Sequence, residues 1–205
     1  MTQANTNLMP KGYVVKGGTI ILNRELTQLD LFVKKFLDVM KRHTGYLVVS
    51  GFVSISAGRA RGTEDVDIIF PQPDRATFER MLKDLEKNGF WCYQGDRPET
   101  LYPYLASLQS LRFSQKNELF PNIEFIPFNE TRIAKSFEYS HPQRLRIKDF
   151  EFNIPPLEFE ILYKELILKS KKDIEDARHL RTLFSAILKE ENFIKFRPII
   201  LREAR

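Results

Sequence analysis

The chain has 205 residues, 42% of them apolar and 29% charged, which is enough to bury one full core and too little for two large domains. Its formal charge of +5 and pI near 9.2 are compatible with a nucleotide or nucleic-acid partner and equally with plain solubility. A single cysteine, Cys92, excludes an internal disulfide framework, three scattered histidines (His43, His141, His179) argue against zinc, and no apolar run reaches membrane-spanning length. The opening "MTQANTNLMPKG" lacks the charged start and apolar stretch of a signal peptide, so the expectation is a cytoplasmic protein without a membrane partner.

Residues 26–43 carry Leu29, Phe32, Val33, Phe36, Leu37 and Met40 at three- and four-residue steps, and Gly45 follows. This spacing predicts an amphipathic helix, and residues 1–45 read as an N-terminal helical segment. "YLVVSG" (46–51) reads as a short buried strand entering a turn, and "VDIIF" (66–70) as a strand closed by Pro71. Residues 74–89 show an Asp cap, an apolar helical stripe and a terminal Gly, and "FWCYQ" follows as a strand. Residues 101–115 fit either a helix or a strand from Leu108 onward, and both readings stay open.

"NIEFIPF" (122–128) alternates strictly, which predicts a strand with Glu124 and Ile126 on one face. Residues 144–156 read as a hairpin turning at Lys148-Asp149. From Leu157 to Leu168 and from Lys172 to Leu188 the pattern is helical, and the change of composition puts a subdomain boundary near Pro155-Pro156. The predicted architecture is α/β (α+β): a small mixed sheet with flanking helices over 46–156, and a helical portion over 157–205 packed on it.

The chemistry concentrates around residues 50–67. Successive side chains of a strand point to opposite faces, so Asp65 and Asp67 share one face while Val66 takes the other. Two like charges side by side are unfavourable unless a cation lies between them or water screens them. Ser50-Gly51 is a small-residue turn where backbone amides can approach phosphates. With a third carboxylate on a neighbouring strand, for which Glu124 is the candidate, the layout suits a nucleoside triphosphate with its divalent cation.

Ser50-Gly51, then Gly58-Arg59-Ala60-Arg61-Gly62-Thr63-Glu64-Asp65-Val66-Asp67, then Glu124, then Lys172-Asp173-Ile174-Glu175-Asp176 resemble, in that order, the nucleotidyltransferase superfold. The similarity is to its small bacterial and archaeal branch that includes toxin–antitoxin nucleotidyltransferases, and it covers roughly residues 45–185. Two positions depart from the pattern: Ser50 where Gly is usual, and Glu124 where Asp is commoner. The resemblance implies that Asp65, Asp67 and Glu124 bind Mg2+ or Mn2+, that Glu124 accepts the proton of the attacking hydroxyl, and that Ser50 and Gly51 face the triphosphate. It also implies a cation near the leaving pyrophosphate, with Lys164 the first candidate and Arg61 the second. The acceptor it implies is a protein or an RNA, with a protein partner also allowed for.

Each residue also has a structural reading. Glu160 precedes Lys164 at the spacing of a helical ion pair, Asp173 fits a helix cap, and Arg59 and Arg61 could be loop charges paired with Glu64 or Asp65. The rival function is a binding module that keeps the fold without turnover, and a third is nucleic-acid binding through the basic C-terminal tail.

Overall fold

The computed structural model describes residues 12–203. The N-terminal segment is not only helical as expected: it opens with a hairpin of β1 (Tyr13–Lys16) and β2 (Thr19–Leu22), paired antiparallel. The turn is Gly17-Gly18, both at positive φ (56° and 77°), where residues with a Cβ are disfavoured. Helix α1 (Gln28–Met40) follows, started by a capping box in which the Thr27 side chain and Asp30 each satisfy the other's backbone N–H.

Strand β3 (Leu47–Val49) leads through Ser50 into the short helix α2 (Gly51–Ser56), and then come β4 (Asp65–Pro71), α3 (Arg75–Lys87) and β5 (Phe90–Cys92). The ambiguous stretch resolves into both alternatives in turn, α4 (Pro98–Ala106) and then β6 (Leu111–Gln115). Strand β7 (Asn122–Phe128), α5 (Ile133–Ser140) and the hairpin of β8 (Gln143–Ile147) and β9 (Phe150–Ile154) complete the sheets. The hairpin turns at Lys148, at φ 53°, as the sequence placed it. Helix α6 (Leu157–Tyr163) continues as a π-helical turn over Lys164–Leu168, and α7 (Lys171–Leu183) and α8 (Glu190–Glu203) follow.

In place of one sheet there are two small mixed ones. The first has the order β3-β4-β7-β6-β5, with β4 and β7 parallel and the other pairs antiparallel. The second has the order β1-β2-β8-β9, where β2 pairs parallel with β8 across more than a hundred residues of sequence. Val66, Ile68 and Phe70 of β4 are fully buried, and on that side of the first sheet Phe36 of α1 packs against Phe90, Phe113 and Phe125. The opposite face carries Asp65 and Asp67 beside a smaller apolar cluster of Leu47, Val49, Ile69 and Phe128. The alternation in β4 thus sends its apolar residues to the core and its two acids to the other side. Helix α5 packs against the C-terminal helices α6 and α8 through Phe137, Phe159 and Phe196, whose ring centres lie within 6.0 Å of one another.

Candidate active site

Strand register builds the acidic centre. Asp67 on β4 lies opposite Glu124 on β7 and, on its other side, opposite Val49, the last residue of β3. Equivalent positions on paired strands face the same way, and one carboxylate oxygen from each of Asp65, Asp67 and Glu124 lies within 4.8 Å of the other two. The structure thus brings these three sequence-predicted residues together.

Their environments differ. Burial, with the charges of Asp65, Glu124 and Glu160 adding to it and a Ser50 hydrogen bond opposing it, pushes the Asp67 carboxyl up to about 6. Asp65 accepts from the Thr63 hydroxyl at 3.2 Å. Among the described residues, no Lys, Arg or His forms an ion pair with Asp65 or Asp67. Glu124 is held more firmly, with Arg112 Nη2 donating to Oε2 at 2.8 Å and Ser110 Oγ donating to Oε1 at 2.9 Å. Each carboxylate oxygen keeps a second lone pair beyond such a bond. Three oxygen donors that repel one another and lack a protein cation at two of three positions fit a hard divalent cation.

Ser50 joins β3 to α2 at φ 62° and ψ −131°, a conformation that glycine adopts far more readily and that costs other residues about 1–3 kcal/mol. Ser50 adjoins the two acids Asp67 and Glu160, and its polar groups favour the charged form of each. A Cβ at Gly51 would lie 2.6 Å from Arg61 Nη2, so a side chain there must displace the end of that arginine, a contact the sequence did not reveal. Arg61 covers the start of α2 and is held by Asp176 of α7, with Nη2 to Oδ2 at 2.8 Å and Nε to Oδ1 at 3.1 Å. Arg59 pairs with Glu175 at 2.6 Å and approaches Asp176 at 3.5 Å, so neither arginine pairs with Glu64 or Asp65.

Lys164 points away from open space. Its side chain is 0% exposed, with Nζ 3.2 Å from Glu160 and 3.5 Å from Asp176, so it shares Asp176 with Arg61 and leaves no free charge for a pyrophosphate. These are ion-pair distances without hydrogen-bond alignment, since Lys164 Nζ and Glu160 Oε1 both lack a bonded partner. Asp173 takes its structural place: Ser170 is the N-cap of α7, and its hydroxyl and the Asp173 backbone N–H and carboxylate bond one another.

In front of Asp67 and Glu124 opens a cleft of about 150 Å3 whose walls include Ser50, Lys135, Glu138, Glu160 and Tyr163. No separate signal in the sequence marks Arg112, Lys135 or Glu138. Arg112 faces Glu124 across the β6–β7 ladder and could be found only once β6 had been placed. Lys135 and Glu138 lie on α5, a helix the sequence pattern did not announce.

No family model and no curated protein matches the chain. Among solved structures it resembles the lincosamide antibiotic adenylyltransferase LnuA in its lincomycin-bound form, with a TM-score of 0.51 and 15% identity over 78% of this chain and 99% of that one. It also resembles an antigenic nucleotidyltransferase-like protein from Paracoccidioides brasiliensis, with a TM-score of 0.50 and 14% identity over 89% of this chain and 91% of that one. Likeness at such identities is one of fold, and the chain has the nucleotidyltransferase fold. Among the described residues no helix is long and apolar enough to cross a membrane.

Proposed function

We propose that the protein transfers a nucleoside monophosphate from a nucleoside triphosphate to a hydroxyl of an acceptor, with Mg2+ or Mn2+ held by Asp65, Asp67 and Glu124. The observation that carries this is the register placing Asp67 beside Glu124, with an oxygen from each of the three acids within 4.8 Å of the others. A divalent cation there would neutralise phosphate charge and polarise the α-phosphorus. In the transfer the acceptor oxygen bonds to that phosphorus, the bridging bond to the β-phosphate breaks, pyrophosphate leaves, and the acceptor proton passes to a carboxylate.

Glu124 is our choice for that carboxylate, and it must loosen its bond from Ser110 to serve. Arg61, already seated over Gly51, is our candidate for the cation facing the phosphates; Lys164, enclosed by two carboxylates, acts by holding Asp176 and Glu160 in place. Ser50 and Gly51 would face the triphosphate from the start of α2. The acceptor reading from the sequence, a protein or an RNA as in toxin–antitoxin nucleotidyltransferases, rests on the order of the motifs.

Mn2+ titration followed by electron paramagnetic resonance, with and without triphosphate, tests the metal site without needing turnover. Wild type binds Mn2+ more tightly with triphosphate present and Asp67→Asn binds it at least tenfold more weakly; equal binding in the two would sink the proposal. Incubation with each labelled triphosphate, Mg2+ and cell extract then identifies the acceptor.

A second reading, a binding module without turnover, is favoured by one observation: Glu124 and Arg61 are both already committed to partners within the chain. Tight metal-dependent nucleotide binding with no labelled product from any extract would favour it.

A further inference from the structure

Of the carboxylates around the cleft, Glu124 has Arg112, Glu160 has Lys164, and Asp67 belongs to the cation site. Glu138 is different. It lies on α5, is 4% exposed, lines the same cleft as Asp67, and makes no side-chain hydrogen bond or ion pair among the described residues. Lys135, a turn earlier, acts on it by charge but forms no ion pair with it among the described residues, and stands 5.9 Å from the centre of the Tyr163 ring. Its oxygens are not among the fully enclosed polar atoms left without a partner, so they open on the cleft, where an incoming cation can meet them.

We infer that Glu138 is a recognition point for a positively charged group on the acceptor, a protonated amine lying a few bonds from the hydroxyl that receives the nucleotide. The word acceptor rests on the function proposed above; the cation subsite rests on the placement of Glu138 alone. Size limits the ligand. A cleft of about 150 Å3 has room for about five waters' worth of material, enough for a short aminoalkyl arm. Charge excludes the alternative tenant, because a triphosphate pushed to the Glu138 end would meet Glu138 and Glu160 rather than the cation site. Tyr163 contributes a ring face on which an ammonium can rest, as Lys135 already shows.

In the empty cleft the Glu138 carboxyl keeps its proton at neutral pH, and an ammonium bound beside it would favour the ionised form. Burial first raises the Glu138 carboxyl to about 8, against the pull of the Lys135 charge, with the charges of Glu160 and Glu203 adding to the rise. Tyr163, packed on the same side, is pushed up to about 12 by burial and by the charges of Glu138, Glu203 and Glu160, so it stays a neutral donor. A bound ammonium would supply the charge that the fold leaves out.

The test uses the full chain with Mg2+ and a non-hydrolysable triphosphate, and as probes 2-aminoethanol, 3-aminopropanol and 5-aminopentanol against diols of the same lengths. Binding is read by thermal shift and by ligand-observed NMR, neither of which needs turnover. At least one amino alcohol binds about tenfold more tightly than its matching diol in wild type, and Glu138→Gln, which keeps shape and removes charge, abolishes the preference, consistent with a charge-assisted hydrogen bond. Glu138→Asp serves as a second variant should the first fold poorly, and it weakens the preference without abolishing it. Equal binding of amino alcohols and diols to wild type, or a preference that survives in Glu138→Gln, overturns the inference. Intact Mn2+ and triphosphate binding together with that result would leave the proposed function standing, whereas amine selectivity without metal binding would leave only the subsite.

Discussion

Asp67 shows most directly how this site departs from a stable resting arrangement. Its carboxyl titrates near 6 in the fold, against 3.8 for an ordinary Asp, because it is buried beside two other acids. A group whose folded pKa is raised contributes stability that is fully present below the unfolded value and is lost as pH rises through the folded one. Between pH 4 and pH 6.5, therefore, the metal-free protein loses stability at this position. Asp67→Asn removes the loss, and the variant is expected to be more stable than metal-free wild type at pH 7.5 by about 1–3 kcal/mol, with the gap closing toward pH 4. Urea unfolding at both pH values checks this, and adding Mg2+ with triphosphate should reverse the order by stabilising only wild type. Gly51 offers a second residue-scale prediction. Adding a Cβ there pushes Arg61 from its seat, so Gly51→Ala costs about 1–3 kcal/mol through the Arg61–Asp176 pair, and far less in an Arg61→Ala background. Equal costs in both backgrounds, read from urea midpoints, would show that the glycine serves the local backbone instead.

At the scale of elements, Asp176 is the pin that holds α7 against the loop before β4 and against the end of α6. It is fully buried, and Arg61, Arg59 and Lys164 lie 2.8, 3.5 and 3.5 Å from it. Replacing it by Ala strands at least one buried cation, for which about 3–5 kcal/mol is expected, whereas Asp173→Ala removes only a helix-start contact worth about 1 kcal/mol. Denaturant titration of the two variants separates these, and similar costs would mean that the cluster is not the joint it looks like. The sequence motif Lys-Asp-x-x-Asp allowed a helix-cap reading for Asp173 but named no partner for Asp176, because those partners depend on which helix face turns inward. The elements that could be read, such as α1, β4, α3 and β7, carry strong periodicity or cap residues of their own. Those that could not were decided elsewhere: β6 becomes a strand by filling the place beside β7, and α5 by covering the acidic face. The β1–β2 hairpin had a local signal in Gly17-Gly18, but its role as partner of β8 lies beyond any local pattern. The two acids of β4 were legible because alternation fixes their face, and the cation subsite was not, because Glu138 matters only through what fails to meet it.

For the molecule as a whole, the relevant question is whether the segments at 1–45, 46–156 and 157–205 behave as separate units. One hydrophobic core runs through all of them, from Tyr13 and Ile20 in the first hairpin, through Phe36, Phe52 and Phe113, to Phe152, Phe159, Phe184 and Ile200. Tyr13 packs on Phe184 with ring centres 4.9 Å apart, tying the first described strand to the end of α7, and Phe52 of α2 meets Phe152 of β9 at 5.7 Å, tying the two sheets together. Cooperativity follows from such shared burial, because no segment can leave without exposing apolar surface on the others. Calorimetry should accordingly show one transition with a calorimetric enthalpy equal to the van't Hoff enthalpy. Ile20→Ala, in a strand far in sequence from the acids, should cost about 2–5 kcal/mol and shift that single transition as a whole. It should also leave metal affinity unchanged at temperatures where the fold persists, since β2 belongs to the sheet that does not carry Asp65, Asp67 or Glu124. Two resolved transitions, with the substitution moving only one of them, would instead divide the chain near Pro155-Pro156, and the cleft between α5, α6 and the acidic strands would then lie at a junction free to open.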